Sequence, residues 1–138
     1  MKSAPILAPL VFATALTAAG LAGPSHAQPV DEEKIRAAFI VADANGDGYV
    51  NVDEYVAYII YAVGTLDKNR DHYLVPEELP YSEPERFKSA DRNGDGKLSL
   101  GESVAIKMID YFDIDTNHDG ALSIDEILVF ERARAANR

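Results

Sequence analysis

The sequence predicts an all-α domain behind an N-terminal export segment, on three observations. The first 27 residues are apolar and almost uncharged, an acidic 12-residue loop recurs four times, and two 15-residue stretches between loops are free of proline. Helices joined through acidic loops, with little room for strands, follow from that pattern.

At the N-terminus Lys2 is the sole charged side chain before Asp31, and an apolar run extends from Ile6 to Ala22. Ser25-His26-Ala27 then places small residues at −3 and −1 of a cut before Gln28. This is the layout of a signal peptide. A membrane anchor is disfavoured by the early prolines, the Ala-rich run and the absence of a basic cluster after it. The expected division is 1–27 signal peptide and 28–138 one mature domain, in a secreted or periplasmic location. Beyond the cut the chain holds 12 basic against 23 acidic side chains, a net charge of −11. Such a chain attracts cations, and neither nucleic acid nor stable membrane insertion after cleavage is expected. With no cysteine, no disulfide supports a chain of this size, so bound metal is a natural source of stability.

The loops start at Asp43, Asp67, Asp91 and Asp115, each 24 residues after the last. Each reads Asp-x-Asn-x-Asp, with an apolar residue at position eight (Val50, Leu74, Leu98, Leu122) and Glu at position twelve. Oxygen donors at positions 1, 3 and 5 converge in a tight turn, position 6 turns sharply, position 7 offers a carbonyl and the final Glu closes the site. A hard cation needing about six to eight oxygens fits that set. Loop 1 supplies Asp43, Asn45, Asp47, the Tyr49 carbonyl, Asn51 and Glu54. Loop 3 supplies Asp91, Asn93, Asp95, the Lys97 carbonyl, Ser99 and Glu102. Loop 4 supplies Asp115, Asn117, Asp119, the Ala121 carbonyl, Ser123 and Glu126. Loop 2 keeps Asp67, Asn69, Asp71, the Tyr73 carbonyl and Glu78, but puts His72 at the turn and Val75 at position nine. Val75 cannot hold a water, and His72 must adopt a costly turn, so a weaker site is expected there. His118, at position four, is expected to point into solvent.

Helices follow from the spacing. Ile35, Ala38, Phe39 and Ala42 form one stripe before loop 1. Val52 to Leu66 makes one helix about 22 Å long, so loops 1 and 2 sit at its opposite ends. Its stretch from Tyr55 to Leu66 carries no charge, which points to a central helix packed on several sides or, alternatively, to a partner surface. Pro80 and Pro84 break the chain after loop 2, and Ser82 with Glu85 starts a short helix through Phe87 to Ala90. Leu100 to Ile114 is a second long helix, with Ala105, Met108, Ile109 and Phe112 as its expected buried stripe. Ile124, Ile127 and Leu128 mark the last helix. Loops 2 and 3 are therefore expected to pair at one end, and loops 1 and 4 at the other.

These loops are similar to EF-hands, and the resemblance implies a compact four-EF-hand domain with short shared helices that binds Ca²⁺. The signal peptide, the 12-residue spacers and the Ser-Glu helix start further resemble the lanmodulin-like periplasmic proteins, whose resemblance implies lanthanide binding and the same pairing of non-adjacent loops. Those relatives carry Pro at position two, where this chain has Ala44, Lys68, Arg92 and Thr116. They are also rich in Asp at positions three and nine; here position three is always Asn. Three carboxylates per loop suit a divalent ion, so Ca²⁺ is expected, with a lanthanide as runner-up. Four divalent ions would bring the charge from −11 to −3. A calcium buffer or sensor of the cell envelope is the expected function. An interaction module that binds an envelope protein on metal loading is the other class. No nucleophile motif, His cluster or phosphate-binding glycine loop points to an enzyme.

Overall fold

The computed structural model describes residues 30–79 and 84–136. The expected signal peptide and Ser82 of the expected capping box lie outside those residues.

Two long helices, α2 (Val52–Leu66) and α4 (Leu100–Ile114), form the frame, with the bounds the spacing predicts. Each starts on a reciprocal cap. Asn51 and Ser99 accept the amides of Glu54 and Glu102, whose carboxylates take the Asn51 and Ser99 amides in return. Each ends on an aspartate that opens the next loop: Asp67 N–H donates to the Val63 carbonyl and Asp115 N–H to that of Tyr111. The shorter helices are α1 (Glu32–Ala42), α3 (Pro84–Ala90) and α5 (Ile124–Ala136). Loop 2 leaves through a 3-10 turn, Pro76–Glu78, where the proline suits the first position.

Four two-residue strands close the two ends. β1 (Val50–Asn51) pairs antiparallel with β4 (Ala121–Leu122), and β2 (Tyr73–Leu74) with β3 (Leu98–Ser99). Loops 1 and 4 therefore meet, as do loops 2 and 3, which is the pairing expected from the spacing and the proline break after loop 2. The position-eight residues face one another across each pair, Val50 with Leu122 and Leu74 with Leu98. All four are buried. α2 and α4 pack together and run in opposite directions between the two ends.

Each end has its own apolar cluster. The larger gathers Ile35, Phe39, Val50, Tyr55, Tyr111, Ile114, Leu122, Ile127 and Leu128 beneath loops 1 and 4. The smaller holds Leu66, Leu74, Ala90 and Leu98 beneath loops 2 and 3, and Val63 packs on both. Tyr55 and Tyr111 meet at the centre of the larger one, with ring centroids 5.1 Å apart. The Tyr111 hydroxyl donates to the Gly120 carbonyl at 2.6 Å, which ties loop 4 to this core.

Two expectations about faces are corrected. In α4 the buried residues are Ser103, Asp110, Tyr111 and Ile114, while Ile109 and Phe112 are 50% and 63% exposed. The centre of the predicted stripe lies about 170° round the helix from that of the buried set, at 100° per residue; of the stripe, Met108 still packs partly buried against the larger cluster. Polar Ser103 and Asp110 conceal the buried face from a count of apolar residues alone. In α2, Tyr55, Tyr58, Ile59, Ala62 and Leu66 are buried, but Ile60 and Tyr61 are about half exposed, at 47% and 51%. This helix is packed against α1 and α4 and open on its remaining side.

Ion pairs fasten the helices laterally. Arg132 on α5 pairs with Glu32 on α1. Arg86 on α3 reaches both carboxylate oxygens of buried Asp110, at 2.6 and 2.5 Å, and Lys107 adds a third contact at 3.3 Å. Burial lowers the Lys107 pKa, while Asp110 opposes that shift.

Candidate metal-binding loops

Each loop is built on the same backbone frame. In loop 1, Asp43 Oδ1 accepts the amides of Gly46 and Asp47, and its Oδ2 accepts that of Gly48 at 2.9 Å. Asn45 Oδ1 takes the Asp47 amide at 2.8 Å, and Asp47 Oδ1 the Tyr49 amide at 2.9 Å. Glu54 then bridges the loop, one oxygen on the Asn45 amide and the other on that of Asn51. Loop 3 repeats the frame through Asp91, Asn93, Asp95 and Glu102. Loop 4 repeats it through Asp115, Asn117, Asp119 and Glu126. Loop 2 keeps it too. Asp67 accepts the Asp71 and His72 amides, Asn69 the Asp71 amide and Asp71 the Tyr73 amide, while Glu78 spans Asn69 and Val75.

The spacing thus brings positions 1, 3, 5 and 12 of every loop around one turn. Among the described residues, no three acidic or histidine side chains stand close enough to enclose an ion as they are placed. Carboxylates sharing a loop repel one another, and each turns an oxygen toward the backbone amides. An ion that replaced this repulsion with attraction would draw the same groups inward. The donor set fits a hard cation, because each loop presents three carboxylates and an Asn amide oxygen on a turn already held by its amides.

Position nine has a role beyond the one the sequence suggests. Asn51 and Ser99 are helix caps, and the Ser99 and Ser123 hydroxyls donate to Glu102 and Glu126 at 2.8 Å each. The Ser99 amide and then its hydroxyl hold Glu102 below the usual glutamate value of 4.5. Burial pushes Glu126 up, but the Ser123 amide and hydroxyl outweigh it and the net shift is downward. A folded pKa below the unfolded one gives support that is complete above about pH 4.5 and lost as pH falls through the folded value. Carbon NMR of the two carboxyls in chelator-treated protein should give both midpoints below 4.5; a midpoint at or above that value contradicts the cap.

Loop 2 departs at the turn. His72 sits at φ +68°, where the other loops have Gly48, Gly96 and Gly120 at +86°, +79° and +80°. A side chain in that region costs about 1 kcal/mol or more. His72→Gly is therefore expected to raise the urea midpoint and to tighten any ion bound in loop 2; an unchanged midpoint means that the turn is not strained. Position four also has positive φ, in Arg70 and His118 as in Gly46 and Gly94. The sequence reading missed that requirement, and His118 is exposed as expected.

A family model for the EF hand matches residues 35–59, 85–102 and 108–130. Over these three segments the chain is similar to EF-hands. The segments contain loops 1, 3 and 4 in full, while loop 2 falls outside them, in keeping with its His72 and Val75. EF-hands bind calcium through such loops, so the match suggests a calcium-binding protein. No curated protein matches the chain.

Proposed function

We propose that this chain is an exported calcium-binding EF-hand protein with three strong sites and a fourth, weaker one. The observation that carries this reading is the shared frame of amide bonds in all four loops, which sets the same oxygen donors round each turn. The ions would be held by Asp43, Asn45, Asp47, the Tyr49 carbonyl, Asn51 and Glu54; by the matching residues of loops 3 and 4; and more weakly by Asp67, Asn69, Asp71, the Tyr73 carbonyl and Glu78. Export rests on the apolar N-terminal run and the small residues before Gln28. Among the described residues no helix is long and apolar enough to cross a membrane.

The pairing of non-adjacent loops supports a buffer or sensor in which each end fills as a unit. α2 and α4 each carry a loop at both ends, so the two ends share their helices. The half-exposed Ile60 and Tyr61 favour a second role, contact with an envelope protein on metal loading. A lanthanide is the competing ion, as in the lanmodulin-like proteins, and Asn rather than Asp at position three argues for the divalent one.

Calorimetric titration of metal-free protein with Ca²⁺ and with La³⁺ tests the reading. Three tight calcium events and a weaker fourth are expected. A flat calcium trace overturns it, and a lanthanide that millimolar-range calcium does not displace transfers the function to the trivalent ion.

A further inference from the structure

A cleft of about 90 Å³ lies between α2 and α4, toward the β2–β3 end. Tyr55, Ala62, Leu74, Leu98 and Ile106 form its apolar walls. Leu74 and Leu98 are position-eight residues, so the cleft lies behind the paired loops rather than within either. Ser103 sets a hydroxyl in this wall. It is only 5% exposed, and its hydroxyl meets no hydrogen-bonding partner in the protein. Native interiors rarely leave a buried hydroxyl without a partner.

We propose that this cleft binds a small neutral aromatic molecule carrying one hydrogen-bonding group, of the phenol class. Size sets the first limit: cavities on the order of 150 Å³ accept a benzene ring, so this smaller, partly open cleft takes no more than a single ring. Apolar walls with one placed polar group are the usual make-up of a small-ligand site. Charge sets the second limit. The chain carries a net charge of −10, which disfavours anions. Lys107, the cation at the margin, is already engaged by Asp110. A phenol places its ring against the leucines and its hydroxyl on Ser103, which can donate or accept.

Fluorine NMR with 4-fluorophenol and with fluorobenzene, on the full chain in excess calcium, tests the site. A saturable shift with 4-fluorophenol is expected. Ser103→Ala should weaken it by roughly fivefold to tenfold, the worth of one hydrogen bond, and leave fluorobenzene unchanged. Ile106→Phe and, from the facing helix, Ala62→Leu should each fill the cleft and abolish both signals, with helix content and calcium stoichiometry checking that each variant folds. No saturable shift, equal affinity in Ser103→Ala, or binding that survives in a folded filled variant overturns the proposal.

Discussion

Glu102→Gln is expected to lower calcium affinity at loop 3 by roughly 100-fold, on the order of 3 kcal/mol. In loops of this type the twelfth residue is the bidentate ligand, and here its carboxylate organises the loop as well. One oxygen accepts the Arg92 and Asn93 amides, and the other accepts the amide and hydroxyl of Ser99. Glutamine keeps the shape but carries two donors on one end, so half of these bonds would meet the wrong partner. The topology adds a second expectation. Loop 2 shares the β2–β3 pair with loop 3 and should weaken with it. Loop 4 lies on the same helix as loop 3 but about 22 Å away, and should hold its affinity. Calorimetry of the variant, with loop assignments from amide NMR, reads both effects. A loop 3 affinity within a few-fold of the parent removes Glu102 from the ligand set. A loss at loop 4 greater than at loop 2 contradicts the independence of the two ends.

Asp110→Ala is expected to cost about 2–3 kcal/mol of folding stability, because it strands Arg86 and Lys107 beside an apolar core. Asp110 is 8% exposed at its side chain, whereas Arg86 is 32% and Lys107 20% exposed. That partial exposure lets water relieve the stranded cations and places the cost below that of a fully buried pair. It also orders the variants. Arg86→Leu should cost less than Asp110→Ala, since Lys107 remains to pair with the carboxylate. Urea unfolding in chelator measures both. Equal midpoints for Asp110→Ala and the parent would show that the pair contributes nothing. The pair joins α3 to α4, the helices on either side of loop 3, so its loss should also loosen that loop.

Much of this architecture is legible in the residues. Asp, Asn and Glu at fixed positions mark the loops, because their side chains carry oxygens at the reach that a hard cation needs. The 24-residue period and the prolines after loop 2 predict both long helices to their end residues. They also predict the pairing of Val50 with Leu122 and of Leu74 with Leu98. A rigid helix that leaves one loop and enters the next keeps those two loops apart, and the proline break after loop 2 lets the chain turn back so that loops 2 and 3 meet. His72 is likewise legible as the weak turn, since a glycine is missing where backbone geometry asks for one.

Other features were settled only by the tertiary structure. The apolar stripe of Ile109 and Phe112 faces solvent, and the true inner face of α4 includes Ser103 and Asp110. Periodicity counts apolar residues along one helix, but burial depends on which neighbour arrives and what it carries. Arg86 comes from another helix, 24 residues earlier, and its charge is what allows Asp110 inside. The four acidic loops were determined by the sequence alone, because loop chemistry is local. The buried ion pair, the Tyr111 tie to loop 4 and the cleft at Ser103 were decided by packing, because each joins residues that no local rule brings together.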